Sequence, residues 1–128
     1  MPARRRTPGG VYLDFPGQFV RKRVEEDAAP LRTSVANVSR QHPDAQLASQ
    51  IAEMLAAAQR PLVLIGKGAA WADAGPALTR LVDLGIPYVA SPMGRGIIAD
   101  DNRHMMNAAR SAALAGADAI LMVGGRFN

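Results

Sequence analysis

Two kinds of hydrophobic pattern alternate along residues 43–128. An amphipathic helix is predicted from Pro43, where a proline and an aspartate precede apolar residues at helical spacing. Short continuous apolar runs, which are typical of strands covered on both faces of a sheet, follow at three places. The helix positions are Leu47, Ile51, Met54, Leu55 and Ala58, and the predicted strands are 62–65, 86–90 and 119–123.

Helical segments are predicted between these strands. One begins near Ala70 and is interrupted at Gly75-Pro76, because the residue before a proline avoids the α region. It then resumes and ends at Gly85, and a further helix at 108–115 is capped by Gly116. Strands that alternate with helices indicate right-handed βαβ crossovers. The predicted fold class is therefore α/β, a Rossmann-like open parallel sheet with helices on both faces.

The segment before residue 43 has a different character. Residues 11–15 form a short apolar run closed by Pro16-Gly17, which predicts one strand. Residues 16–42 show no sustained period and are expected to be a linker, because a loop of this length is uncommon inside a compact domain. The strand at 11–15 is thus expected to belong to something other than the downstream domain. Since three parallel strands make a thin sheet, residues 43–128 are expected to be an incomplete domain.

Composition narrows the function classes. The chain is 48% hydrophobic and 20% charged, which is ordinary for a globular protein, and its lack of cysteine excludes thiol catalysis, cysteine-based zinc sites and disulfides. We expect no membrane segment and no secretory signal, because no apolar run approaches the ~18 residues of a membrane span and no apolar region follows the basic N-terminus.

The positive charge of the chain lies in one short arm. Residues 1–23 carry six cations against one anion, whereas residues 24–128 carry nine cations against ten anions. This arm lacks interleaved aromatic residues and any nucleic-acid motif, so we expect no nucleic-acid partner.

A cation stands beside glycine after each predicted strand, in Gly66-Lys67-Gly68, Gly94-Arg95-Gly96 and Gly124-Gly125-Arg126. Ligands of open α/β sheets bind beyond the carboxyl ends of the strands. One interpretation is a phosphate-bearing ligand, since glycine lets a ligand approach the backbone and cations favour phosphate. The other is that the glycines make tight turns and the cations are solvated. The dinucleotide fingerprint is not met, because Trp71 stands where its third glycine belongs.

No complete active site is predicted within these residues. His42 and His104 lie in polar surroundings far apart in sequence, and Asp100-Asp101-Asn102 is typical of a helix cap or a turn. We therefore predict no catalytic residue and no metal site.

Five ordered motifs resemble the thiamine diphosphate-dependent enzymes. The resemblance spans nearly the whole chain and is closest to the branch of 2-hydroxyacyl-CoA lyase and oxalyl-CoA decarboxylase, with acetolactate synthase a more distant relative. The motifs are Gly9-Gly-Val-Tyr-Leu-Asp-Phe-Pro16, Arg60-Pro-Leu-Val-Leu-Ile-Gly-Lys-Gly-Ala-Ala70, Pro92-Met-Gly-Arg-Gly96, Asn107-Ala-Ala-Arg-Ser111 and Gly124-Gly-Arg-Phe-Asn128.

The resemblance implies a domain organisation. Residues 1–15 would be the tail end of an upstream pyrimidine-binding domain, 16–42 a linker, and 43–128 the front half of the central domain. The family's catalytic glutamate would lie upstream, and its Gly-Asp-Gly motif for magnesium and diphosphate downstream. The resemblance therefore implies that thiamine diphosphate and magnesium act in the intact parent, and that this chain alone is inactive.

The resemblance also implies ligand contacts within the central domain. Lys67, in the loop Gly66-Lys67-Gly68, and Arg126 match positions that contact ADP in the CoA branch. Asn107, Ala108, Ala109, Arg110 and Ser111 match a stretch that lies against the CoA part of the substrate. In acetolactate synthases the comparable groove holds FAD, which remains an alternative ligand.

The expected function follows from this resemblance. The chain would be a fragment of a lyase or decarboxylase that cleaves a C–C bond of a CoA thioester, in a cytoplasmic parent that is a homo-oligomer (a dimer or tetramer). The alternatives are an acetolactate synthase-like fragment with an FAD groove, a non-catalytic module that binds ADP or CoA, and a truncated reading frame that folds poorly because its sheet edge is bare.

Overall fold

The computed structural model describes residues 10, 12–28, 34 and 42–126 of the chain. The chain divides into two compact units, Met1–Arg40 and Gln41–Asn128. The first unit contains α1 (Gly17–Val20) and a 3-10 turn at Glu26–Ala28. The second contains α2 (Ala45–Ala57), β1 (Pro61–Ile65), α3 (Lys67–Trp71), α4 (Gly75–Val82), β2 (Tyr88–Ala90), 3-10 turns at Pro92–Gly94 and Asn107–Ala109, α5 (Arg110–Gly116) and β3 (Ala119–Val123).

The described residues of the first unit do not form the predicted strand. Residues 12–15 have no regular secondary structure, so the strand predicted at 11–15 is wrong for the part that is described. A strand needs a neighbour for its backbone groups, and the described residues of this unit contain no second strand. The described part of the predicted linker contains α1 and the 3-10 turn at Glu26–Ala28, and the Lys22 ammonium lies 5.8 Å from the centre of the Phe19 ring.

The second unit is built on a parallel sheet in the order β2-β1-β3. After β1 the chain forms β2 on one side of β1, and it then crosses back to form β3 on the other side. Because parallel crossovers are right-handed, this reversal places the intervening helices on opposite faces. The predicted α/β fold with a parallel open sheet is confirmed.

One face of the sheet is well sealed. Side chains alternate along a strand, so Val63 and Ile65 lie on the same face of β1, and Val63 is in register with Tyr88. Leu78 and Val82 of α4 cover these three residues. All five side chains are between 0 and 4% exposed, so they form the centre of the hydrophobic core.

The opposite face is covered only in part. Leu62 and Val89 are buried there, but Ile120 of β3 is 46% exposed. Helix α2, which precedes β1 in the chain, contacts β3, yet none of the residues of α2 is buried. Its apolar stripe of Leu47, Ile51 and Met54 is exposed.

Several predicted boundaries move for local reasons. The helical stretch is interrupted as predicted, but the break lies at residues 72–74 and not at Gly75-Pro76, which begins α4. Asp73, with a φ of 53°, lies in this break. Helix α3 begins at Lys67 rather than near Ala70. The predicted helix at 108–115 begins as a 3-10 turn and becomes α-helical only at Arg110. No helix among the described residues is long and apolar enough to cross a membrane.

Candidate functional site

The carboxyl ends of the three strands meet at one edge of the sheet. Ile65, the last residue of β1, is in register with Ala90 of β2 and Val123 of β3. The segments that follow these residues therefore start side by side, and each contains one of the predicted cations. The structure thus brings Lys67, Arg95 and Arg126 to a common edge, which we call the carboxyl edge.

The glycines of this edge serve close contacts between backbones. The Gly66 N–H donates to the Val123 carbonyl at 2.8 Å, and the Gly68 N–H donates to the Gly124 carbonyl at 2.9 Å. A Cβ atom at Gly66 would collide with the carbonyl of Gly124. These two N–H groups are thus already bonded within the protein. The glycines of this loop are therefore required by the close approach of two backbone segments.

Gly94 has a similar role between β1 and β2. A Cβ atom at this position would collide with the carbonyl oxygen of Ile65, and the Gly94 N–H donates to the Ser91 carbonyl at 2.8 Å. The 91–96 loop is thereby seated directly on the end of the central strand. Glycine here lets two backbone segments approach each other, which fixes where Arg95 leaves the sheet.

The three cations differ in their partners. Arg95 is held by Asp100, with Nη2 and Oδ2 at 2.9 Å. Lys67 is half-buried in the first turn of α3, and Arg126 is exposed after Gly125. Within residues 42–126, the structure gives neither Lys67 nor Arg126 a carboxylate partner. These two side chains are the ones available at this edge for a ligand anion.

Their backbones lie close together. A Cβ atom at Gly66 would lie 2.6 Å from the Cα atom of Gly125. Lys67 and Arg126 directly follow these two glycines, so they extend from touching loops of adjacent strands. This contact between glycines brings together the backbones of two predicted cofactor-binding residues that are far apart in sequence.

The segment Asn107–Ala109 and the start of α5 lie against the end of β2. The Ala90 N–H donates to Oδ1 of Asn107 at 2.7 Å, and Nη1 of Arg110 donates to the Ala90 carbonyl at 3.3 Å. Ala108, Ala109 and Ser111 are exposed. The structure therefore brings the predicted substrate segment to the carboxyl edge beside β2. The sequence carried no signal for the bonds to Ala90, because their partners are 17 and 20 residues away.

Tyr88 supports the same edge from the core. Its hydroxyl donates to the Ala99 carbonyl at 3.3 Å, which ties the loop before Asp100 to β2. Burial raises the pKa of the Tyr88 hydroxyl, and the negative charges of Asp100 and Asp101 raise it further. Tyr88 therefore stays neutral at physiological pH and has a structural role.

Asp118 ties the opposite end of the sheet. Its two carboxylate oxygens accept hydrogen bonds from the backbone N–H groups of Gln59 and Arg60, each at 2.9 Å. The bond from Arg60 is the main cause that holds the pKa of this carboxyl below its usual value. The sequence analysis missed Asp118, although a carboxylate directly before β3 could have suggested hydrogen bonds to the backbone at the start of a neighbouring strand. Its distance in the fold from the carboxyl edge makes its role structural.

The described residues contain no group of three histidine or acidic side chains that could hold a metal ion. His42 is exposed and His104 is half-buried. The N–H of His104 donates to Oδ1 of Asn102 at 2.9 Å, as expected for a turn at 100–102. Since Lys67 and Arg126 have no carboxylate partner within residues 42–126, the chemistry that this edge offers is the binding of anions by cations.

Comparison with known proteins identifies a family for this region. Residues 48–128 match the family described as "Thiamine pyrophosphate enzyme, central domain". The match includes all three strands and the whole carboxyl edge, and it leaves out residues 1–47, which include the first residues of α2.

Three individual proteins that this chain resembles are enzymes that act on CoA compounds, according to their names. A 2-hydroxyacyl-CoA lyase of Arabidopsis thaliana is 38% identical over 127 residues, which cover 94% of this chain and 22% of that protein. The rice 2-hydroxyacyl-CoA lyase is 37% identical, with 94% of this chain and 23% of the relative covered. Oxalyl-CoA decarboxylase of Escherichia coli K12 is 36% identical, with 94% and 22% covered. The chain thus spans about a fifth of the length of the curated relatives that it matches.

Proposed function

The chain belongs to the thiamine pyrophosphate enzyme family, within the central domain, and on this premise we propose that its carboxyl edge binds an adenosine diphosphate group. ADP, CoA and FAD share this group, so one arrangement of cations serves all three. The observation that carries the proposal is that Lys67 and Arg126 extend from touching loops and lack carboxylate partners within residues 42–126. Two cations at one edge match the charge of a diphosphate.

The relatives favour a CoA thioester as the ligand. The plant and Escherichia coli relatives are named 2-hydroxyacyl-CoA lyase and oxalyl-CoA decarboxylase. We propose that this chain contributes the scaffold and the CoA-contacting edge to an activity that cleaves a C–C bond in such a thioester. Ala108, Ala109 and Ser111 are exposed at this edge and would contact the CoA part, while Lys67 and Arg126 would bind its phosphates.

The described residues do not fit a magnesium-diphosphate site. They offer no cluster of acidic or histidine ligands, and magnesium is held by oxygen ligands such as carboxylates. We therefore assign none of them to thiamine pyrophosphate, and derive no step of the reaction through it. Incubation of the chain with oxalyl-CoA, thiamine pyrophosphate and Mg²⁺ is expected to release no carbon dioxide. Release at a steady rate would contradict this assignment.

Calorimetric titration of the chain with ADP, CoA and FAD tests the proposed edge. Lys67→Met and Arg126→Gln are each expected to weaken binding by about tenfold or more, because a hydrogen bond to a charged group contributes roughly 1.5–3 kcal/mol. Added salt should weaken binding by the unchanged chain, since exposed charges are screened. Tighter binding of CoA than of FAD would favour the CoA branch, and the reverse order would favour the acetolactate synthase branch.

The control variant is Arg80→Gln. Arg80 is an exposed cation in the last turn of α4, outside the carboxyl edge, so its replacement changes the net charge by the same amount. It is expected to leave the affinity for all three ligands unchanged. Equal weakening by Arg80→Gln, or no binding by the unchanged chain, would refute the proposal.

A further inference from the structure

We propose that Asn107 and Arg110 are positioning residues, whose side chains hold the peptide groups of Ala90 and thereby set the course of the 91–96 loop. We call this pair of contacts the Ala90 bracket. Its consequence for ligand binding rests on the function proposed above, whereas the bracket itself can be tested without any ligand.

The outer edge of β2 explains why a bracket is needed. At Tyr88 this edge is paired by backbone, since the Tyr88 N–H donates to the His104 carbonyl at 3.0 Å and the Met106 N–H donates to the Tyr88 carbonyl at 2.8 Å. In a parallel ladder the next pair of bonds belongs to the residue two positions on, which is Ala90. The neighbouring chain turns into a 3-10 helix at Asn107, however, so its backbone no longer follows β2.

Two side chains take the place of the missing backbone partners. Oδ1 of Asn107 accepts from the Ala90 N–H at 2.7 Å, and Nη1 of Arg110 donates to the Ala90 carbonyl at 3.3 Å. Ala90 is only 6% exposed. A buried N–H or carbonyl without a partner destabilises the folded state, because it has lost its hydrogen bond to water. The bracket therefore stabilises the end of the strand where the ladder stops.

The bracket acts on the part of the edge that follows Ala90. The Ser91 N–H donates to the Ile65 carbonyl at 2.8 Å, so the chain is fixed on the inner side as well. With both sides held, the direction in which residues 91–96 leave the sheet is determined. Gly94 then rests on Ile65, and Arg95 follows. The two half-buried side chains, Asn107 and Arg110, thus act through Ala90.

This divides the predicted substrate segment into two groups. The half-buried pair is engaged with the strand, while Ala108, Ala109 and Ser111 face outward. Replacing Asn107 or Arg110 should therefore affect ligand binding only as far as it loosens Ala90. A residue that contacts the ligand directly would show no such dependence.

Hydrogen exchange at single amides, measured by NMR on the 128-residue chain, tests the bracket. Asn107→Ala is expected to increase the exchange rate of the Ala90 amide at least tenfold, because its acceptor is lost. Asn107→Asp keeps an oxygen at Oδ1 and should restore the protection. The Gly66 amide, which is bonded to Val123, should exchange at an unchanged rate in both variants.

Two further variants keep the test decisive. Arg110→Met should move the amide nitrogen shift of Ser91, which shares its peptide unit with the Ala90 carbonyl, and it serves if Asn107→Ala does not fold. Asn102→Ala is the matched control, since Asn102 bonds the His104 N–H within the same connection and does not touch Ala90. It should leave the Ala90 amide protected. Unchanged exchange at Ala90 in Asn107→Ala, together with an unmoved Ser91 shift in Arg110→Met, would overturn the bracket.

Titration with CoA separates the bracket from direct contact. Affinity is expected to fall in Asn107→Ala in step with faster exchange at Ala90, and to fall less in Asn107→Asp. An equal loss in Asn107→Asp with a protected Ala90 amide would show direct contact and overturn the positioning role. If the unchanged chain binds neither CoA nor ADP, the proposed function fails, while the exchange measurements still decide the bracket.

Discussion

The two faces of the sheet are supplied by the same three strands but are covered to different extents. On the face of Val63 and Ile65, the core side chains are almost completely buried, whereas Ile120 on the other face is 46% exposed. The sealed face is covered by helices that lie between β1 and β2 in the chain, with short connections at either end. Helix α2, which comes before the first strand, contacts β3 but buries none of its own residues.

Helices α2 and α4 show what this difference teaches. Both carry apolar residues at helical spacing, yet α4 buries Leu78 and Val82 and α2 buries no residue. An amphipathic pattern tells which side of a helix is apolar. It does not tell how much of that side finds a partner, because this depends on where neighbouring elements place the helix.

The largest expected effect is on the sealed face. Ile65→Ala should lower the free energy of unfolding by about 2–5 kcal/mol, because it leaves a cavity in a fully packed core. Ile120→Ala is the matched change on the partly open face and should cost about 1 kcal/mol, mainly through strand propensity. Urea unfolding followed by circular dichroism measures both. Equal losses would mean that the two faces are equally buried in solution.

A smaller effect is expected at Tyr88. Tyr88→Phe should lower the free energy of unfolding by about 0.5–1.5 kcal/mol, since the hydrogen bond to Ala99 is lost. The folded state also raises the pKa of this hydroxyl, so folded protein holds its proton more tightly than unfolded protein.

The same raised pKa predicts a pH dependence in the alkaline range. The stability associated with Tyr88 is complete below the unfolded pKa of about 10 and is lost as the pH rises through the folded pKa. Thermal melts between pH 8 and 11.5 should show this decline in the unchanged chain and a smaller one in Tyr88→Phe. Tyr12→Phe is the control, because Tyr12 is exposed. If Tyr12→Phe flattened the curve equally, the decline would not belong to the buried hydroxyl.

Asp118 should show a weaker effect of opposite sign, because its carboxylate is exposed and screened. The folded state lowers its pKa, so its contribution is present above the unfolded pKa of about 4 and is lost as the pH falls through the folded value. Asp118→Asn should therefore be less stable than the unchanged chain at pH 7 and approach it at low pH. A constant difference across this range would exclude the ionised carboxylate as the cause.

The smallest effect is expected on the exposed stripe of α2. Met54→Gln should change the free energy of unfolding by no more than about 0.5 kcal/mol, because Met54 is 68% exposed. Leu55→Gln, one position along the same helix, should cost more because Leu55 is half-buried. Urea unfolding of the two variants measures both losses in the free energy of unfolding. Equal costs would indicate that α2 sits differently on the sheet.

The sequence by itself determined the succession of elements in the second unit. The apolar run of β3 was predicted with its observed bounds, and the proline of Gly75-Pro76 lies in the first turn of α4, where its missing N–H is tolerated. Both are local effects, since continuous apolar residues and a missing N–H act within a few positions. The common edge of Lys67, Arg95 and Arg126 also followed from the sequence, because parallel strands bring their carboxyl ends together.

Only the tertiary structure decided what the residues of this edge do. The glycines that a phosphate-binding loop would also use are required by backbone contacts between strands, and Asn107 and Arg110 bond a strand 17 to 20 residues earlier. Residues 12–15 of the predicted strand at 11–15 have no regular secondary structure, and the described residues of their unit contain no second strand to pair with. A pattern along the chain specifies local conformation, whereas hydrogen-bond partners and burial depend on residues that only folding brings together.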